Sequence, residues 1–341
     1  MDPVTLPGPA GAEPNTPPSL RGMALPAVTT ARYRRLTFVA LVMVSAIIVT
    51  GAAVRLTGSG LGCPDWPTCD DGKLVSVQTS HQAIENVNRL FTGVMIVALA
   101  VTVLASVRIR PRRRDLIGLS AALVAGVFGQ AIVGGIVVLT DLHPGAVMWH
   151  FLLSIVVVGA GMVLHRRAAE PGGPYRLRVP AAVRRHVVAI VVLTAAAIVT
   201  GTVVTGTGPH AGDERAKRWG FDISHVARIH GLTVIATIAL TLWLVARIRR
   251  TAAGKVLEDA LSLFLLAAFV QGAIGYVQYF TGVPALLVGF HILGATLVWV
   301  AVMHLLLRTR EPVLSVDVAA NVRSEGSTGA DAIPAGRPGQ P

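Results

Sequence analysis

The sequence predicts an all-α polytopic membrane protein, and three observations carry that prediction. Of its 341 residues, 53% are hydrophobic, only 14% are charged, and the mean hydropathy is +0.64. A soluble domain carries about 25% charged residues, so this chain has too little charge to cover a water-facing surface. The apolar residues are gathered into eight stretches, at about 36–54, 83–107, 116–140, 146–164, 187–206, 222–246, 259–281 and 285–307. Each is near the roughly 20 residues needed to cross a bilayer, and a spanning chain satisfies its backbone internally by forming helices. Third, the chain repeats itself. Phe128, Gln130, Gly134, Thr140 and His150 recur as Phe269, Gln271, Gly275, Thr281 and His291. Ile48-Val49-Thr50-Gly51 recurs as Ile198-Val199-Thr200-Gly201. An even number of helices per unit gives parallel repeats, so the expected architecture is two tandem four-helix bundles related by the repeat.

The expected organisation therefore runs as follows. Residues 1–35, rich in proline, form a disordered leader with no cleavable signal peptide. The first bundle covers 36–164, a basic linker 165–186, the second bundle 187–307 and a disordered tail 308–341. Basic residues cluster in the leader, in 108–115 (Arg108, Arg110, Arg112, Arg113, Arg114), in 165–186, in 247–258 and after Arg308. The alternate loops hold Arg55, Lys73, Arg215, Lys217 and Arg218, outnumbered by the acids Asp65, Asp70, Asp71, Asp141, Asp213, Glu214 and Asp222. By the positive-inside rule both termini are cytoplasmic. The net charge of +12 thus marks topology, and nucleic-acid binding is excluded because the basic residues share no compact surface.

Within this frame, histidines inside the spans are candidates for chemistry, because intramembrane ionisable groups are costly. His150 and His291 are repeat-related and lie a few residues inside the outer face, with His230 at similar depth in the sixth span. Histidines facing one another across a helical bundle hold haem iron, and His230 with His291 would ligate one haem in the second bundle. His225 is displaced from that face and is a secondary candidate, as a propionate contact or an interface residue. In the second span the repeat sets Asn88 against His230, so a fourth histidine is missing there. His81, seven residues earlier, lies about 10 Å nearer the outer face. His81, Glu85 and Asn88 share one helical face. Glu85 is the one acid well inside a span. Two readings stand for it: an ion pair with Arg89 at i+4, or a carboxylate beside a haem edge that moves protons or stabilises positive charge.

Cys63 and Cys69 lie in the Gly/Pro-rich loop after the first span, in a compartment that permits a disulfide. An exposed bridge in so short a loop is expected to be labile and redox-active, with a structural staple as the other reading. The stretch from Gly51 to Cys69, GAAVRLTGSGLGCPDWPTC, resembles the first outer loop of the haem A synthase family (CtaA/Cox15 type), and the resemblance extends over about 36–307. It implies eight helices in two bundles, one holding a haem b cofactor and the other receiving haem O, whose C8 methyl is oxidised to a formyl group for cytochrome oxidase assembly. It implies His230 and His291 as cofactor ligands, His150 as a ligand of the substrate haem, and Glu85, within Ile84-Glu85-Asn86-Val87-Asn88-Arg89, as the essential glutamate. Family members commonly carry histidine where this chain has Asn88. Substrate haem would then be held by His150 alone with Asn88 hydrogen-bonding, or His81 would shift in.

The resemblance further implies a bacterial-type plasma-membrane location with the cysteine loop outside. The implied partners are haem O from the preceding farnesyltransferase, quinol or another electron donor, oxidase assembly factors and membrane lipid. A dihaem b-type cytochrome passing electrons from quinol to a partner is the alternative, but it leaves Glu85 and the cysteine loop unexplained.

Overall fold

The computed structural model describes residues 27–313. Eight helices, each long and apolar enough to cross a membrane, make up nearly all of it. They are α1 (Thr30–Leu56), α2 (Ser80–Ser106), α3 (Arg114–Leu139), α4 (Pro144–Ala168), α5 (Ala181–Thr207), α6 (Ile223–Ile248), α7 (Ala252–Phe280) and α8 (Ala285–Arg308). Local chemistry fixes their starts. Thr79 and Gln82 form a reciprocal capping box on α2, Asp222 accepts from the His225 backbone at the start of α6, and Pro144 opens α4. Each device satisfies amides that the first turn leaves without an intrahelical partner, or removes one.

Helices adjacent in sequence pack as hairpins. Neighbours α1–α2, α2–α3, α3–α4 and α4–α1 close one ring, and α5–α6, α6–α7, α7–α8 and α8–α5 close another. The rings meet where α8 packs on α1 and α4, and where α4 packs on α5. Leu41, Val44, Leu99, Leu123, Val158 and Leu164 form the centre of one apolar core. Ile190, Leu244, Leu257, Phe264, Val302 and Leu305 form that of the other. Both cores fill the end of the molecule that bears the arginine-rich loops. The cysteine loop and the 208–222 loop lie at the opposite end, so the histidines sit beyond the densely packed layers.

Three expected boundaries are corrected. Helix α1 begins at Thr30, so residues 30–35 are helical and the leader ends earlier than 35. The long aliphatic stems of Arg32, Arg34 and Arg35 let the helix continue past the apolar run while their charges stay at its edge. The linker is shorter than 165–186, because α4 runs to Ala168 and α5 starts at Ala181. The start of the tail is structured: β2 (Arg310–Pro312) pairs antiparallel with β1 (Tyr175–Leu177). Glu311 there meets Arg176 at 3.0 Å and Arg178 at 3.5 Å. Residues 1–26 of the expected leader and 314–341 of the expected tail lie outside the described residues.

Candidate functional site

The second bundle brings His230 (α6) and His291 (α8) face to face. Their ring centroids are 6.4 Å apart and the rings are nearly perpendicular, at 77°. Two metal–imidazole bonds of roughly 2.0–2.1 Å, together with the ring radii, put such centroids about 6 Å apart. That spacing fits two imidazoles on one metal ion, so His230 and His291 are the residues that would hold a haem iron here. His230 Nδ1 lies 2.9 Å from the Ala197 carbonyl, a contact that holds the proton on Nδ1 and presents Nε2 as the donor atom. His291 Nδ1 is buried without a hydrogen-bond partner. The Gln271 amide donates to the His291 carbonyl at 2.8 Å.

The same parts recur in the first bundle, with one exception. Gln130 donates to the His150 carbonyl at 3.1 Å, and His150 Nδ1 is likewise buried without a partner. Glycines stand beside these rings because a side chain would strike them. A Cβ on Gly134 would lie 3.2 Å from His150 Cε1, one on Gly275 would lie 2.9 Å from His291 Cε1, and one on Gly201 would lie 3.1 Å from His230 Cε1. At Gly51, the counterpart of Gly201, a Cβ would meet nothing within 4 Å. The α2 residue on this side is Asn88, whose Oδ1 accepts from Thr50 Oγ1 at 2.7 Å. Thr200 holds the corresponding place next to His230, at 3.3 Å from its Nδ1. Gly201→Ala is thus expected to displace the His230 ring and lower haem retention at least several-fold in the purified protein. Gly51→Ala should leave the second-bundle spectrum unchanged, and equal effects from the two would sink this assignment.

Glu85 forms the ion pair foreseen as its structural reading. Its Oε1 meets Arg89 Nη2 at 2.7 Å, and its Oε2 accepts from the Cys63 amide at 2.8 Å. Arg89 also donates to the Thr68 carbonyl at 2.9 Å and the Asp65 carbonyl at 3.2 Å. This ties α2 to both ends of the cysteine loop. Cys63 and Cys69 are joined as a disulfide, and both are fully buried. The expectation of an exposed bridge is therefore corrected: Asn86 lies against both sulfurs, at 3.5 and 3.4 Å. The next residues of the loop carry Trp66 across to α3, where its ring occupies the space beside Gly135. Solvent access, on which thiol–disulfide exchange depends, is thereby restricted. In the folded protein neither cysteine should alkylate without reductant, and reductant should open the pair only slowly before denaturation. Labelling mapped by mass spectrometry checks both expectations.

Asn86 is the residue that sequence reasoning missed. Its amide also donates to the Gln82 carbonyl at 3.0 Å and to the Ser76 carbonyl. Only its place between Glu85 and the Cys69 loop could have drawn attention to it.

The remaining candidates lie apart from the histidine pair. His81 is exposed, and its Nδ1 is 2.9 Å from Ser59 Oγ. It lines a crevice of about 910 Å³ at the loop end, with Arg55, His210, Asp213 and Arg215. Hydrogen bonding to Arg215 holds the Asp213 carboxyl below the usual carboxylate range. The two bundles are stitched together around this crevice. Gly60 donates to the Gly212 carbonyl at 2.8 Å and Arg55 to the Thr205 carbonyl at 3.2 Å, while within the second bundle His210 Nε2 lies 2.8 Å from the Val283 carbonyl. His225 is exposed at the start of α6, where its backbone amide serves the Asp222 cap.

A family model described as cytochrome oxidase assembly protein matches residues 34–212. The chain belongs to the COX15-CtaA family. The matched span takes in the first bundle, the cysteine loop and α5, which carries Gly201. A protein named Heme A synthase from Listeria welshimeri is 24% identical over 290 residues, covering 78% of this chain and 92% of its own length. One of the same name from Listeria monocytogenes aligns to the same extent. Another, from Geobacillus kaustophilus, is 36% identical over 111 residues, covering 32% of this chain and 34% of its own. The chain is an integral membrane protein of this family, with all eight helices as its framework.

Proposed function

We propose that the chain is a haem A synthase, oxidising the C8 methyl of haem O to a formyl group for cytochrome oxidase assembly. The observation that carries this reading is the face-to-face pair His230 and His291 in a chain that relatives named Heme A synthase match over 78% of its length. His230 and His291 would hold a haem b in the second bundle, and His150 would hold haem O in the first. Haem iron supplies the redox chemistry when bound; the protein supplies position and charge.

In this reading Glu85 is the carboxylate that would serve the substrate haem, taking a proton from the reacting carbon or offsetting positive charge developing there. Arg89 and the Cys63 amide fix its two oxygens, so its direction depends on the folded cysteine loop. The pair Cys63–Cys69 then acts first as the buried frame for Glu85. Both termini are cytoplasmic in a plasma membrane and the cysteine loop faces outward in this reading, which the distribution of arginines supports. Each of two hydroxylations of the methyl carbon would consume molecular oxygen as the oxidant, with two protons and two electrons from quinol or a comparable donor, releasing one water. The resulting geminal diol loses water to give the formyl group, and haem O comes from the preceding farnesyltransferase. Oxidase assembly factors and lipid complete the set of partners.

Co-expression with a haem O source, followed by haem extraction and mass analysis, tests the proposal. Haem A is the expected product. Haem b alone would favour the dihaem electron-transfer cytochrome, a reading that leaves the linked Glu85, Arg89 and Cys63 without a role.

A further inference from the structure

We infer that the two haem sites are unequal: the first bundle holds its iron through His150 alone, and its α2 side is an open coordination position bordered by Asn88. This deepens the functional reading above and rests on the first bundle binding haem. The repeat makes the comparison possible. Three corners of the four-ligand frame are built alike, each with an imidazole seated against a glycine: His150 on Gly134, His291 on Gly275 and His230 on Gly201. The fourth corner has the glycine, Gly51, but no ring beside it.

Every donor on the facing side of α2 is accounted for. His81 is about 10 Å along the helix from Asn88 and is engaged by Ser59. Glu85 has one oxygen on Arg89 and the other on the Cys63 amide. Asn88 is at the right level, but a carboxamide is a poor ligand for haem iron: its nitrogen lone pair is delocalised and its oxygen is hard and weakly donating. That oxygen is moreover occupied by Thr50 at 2.7 Å. The amide nitrogen finds no acceptor among the described residues. It is left as a hydrogen-bond donor to whatever small ligand the iron carries on that side. Beside it a crevice of about 340 Å³ runs between α1 and α2, lined by Thr50, Ala53, Val54, Ile84, Val87 and Asn88. The polar groups there are the two hydrogen-bonded to each other; the remainder is apolar. A small neutral molecule would approach the α2 side from this crevice, whereas in the second bundle the corresponding place beside Thr200 is taken by His230.

The test uses the full chain in detergent, saturated with hemin, and reads ferric spin state by electron paramagnetic resonance and resonance Raman scattering. Wild type should show one low-spin and one high-spin iron per chain. Imidazole added from solution should convert the high-spin centre to low spin. Asn88→His should do so without imidazole, because Gly51 leaves room for the ring, and Gly51→Ala on that background should reverse it. Asn88→Ala should stay high-spin, and His150→Ala should lose the high-spin signal alone. Two low-spin centres in wild type would overturn the inference, and recovery of a high-spin centre in His81→Ala would then name His81 as the sixth ligand. Stoichiometry separates the two levels. Fewer than two hemins per chain counts against the first bundle as a haem site, while two hemins, both low-spin, count only against the open position.

Discussion

His291→Ala is expected to abolish the low-spin haem spectrum of the second bundle while leaving the signal that depends on His150. Removing one axial ligand leaves iron on His230 alone. Changes merely to groups that orient a ligand cost 10–100-fold in metal affinity, so loss of the ligand should cost at least ~100-fold. The substitution is informative because the surroundings survive it. Gln271 is bound to the His291 backbone carbonyl, not to the ring. His230 keeps its contact with the Ala197 carbonyl. Helix α8 is anchored independently by Val302 and Leu305, both wholly buried at the opposite end. A variant that folds, retains the His150-dependent signal and loses the other low-spin signal, whether by release of that haem or by its turning high-spin, identifies His291 as a ligand. An unchanged low-spin spectrum would remove it.

The prediction for His291 was legible in sequence because a ligand pair leaves a periodic trace. Each histidine recurs at the same offset as the glycine and glutamine that seat it, which is how Gln130, Gly134 and His150 stand against Gln271, Gly275 and His291. The eight spans were legible for a simpler reason, since lipid demands an apolar run of fixed length. Their ends were not, because arginine stems extend α1 and α4 beyond the apolar residues. Strands of three residues carry no usable period, so the β1–β2 pairing that ties the linker to Glu311 was invisible. The burial of Cys63 and Cys69 was hidden as well. It arises from Asn86 on α2 and Trp66 reaching α3, contacts between segments whose approach no local pattern encodes. Asn88 lies between these cases. The repeat exposed the missing ligand, but only the packing around Gly51 and the engagement of His81 with Ser59 distinguish an open position from a substituted one.

Glu85→Gln is expected to lower haem A yield ~100- to 10,000-fold, the range associated with a positioned acid or base, with both haems still bound. Glutamine is close to isosteric, and its oxygen can go on accepting from the Cys63 amide. The charge is lost, and Arg89 loses its counter-ion. Leaving a buried charge without its partner costs about 3–5 kcal/mol when the charge is wholly desolvated. Arg89 is not in that situation: its side chain is 24% exposed and retains the Thr68 and Asp65 carbonyls. The loop should therefore stay folded and the cysteines should stay protected from alkylation. These readouts divide the two roles of Glu85. If activity falls while the haem spectra and cysteine protection persist, the carboxylate acts on the reaction. If protection and first-bundle haem are lost together with activity, Glu85 acts as the keystone of the cysteine loop, and restoring charge with Glu85→Asp should not rescue turnover. Normal haem A yield in the glutamine variant would remove Glu85 from the mechanism and leave the Arg89 pair as its whole function.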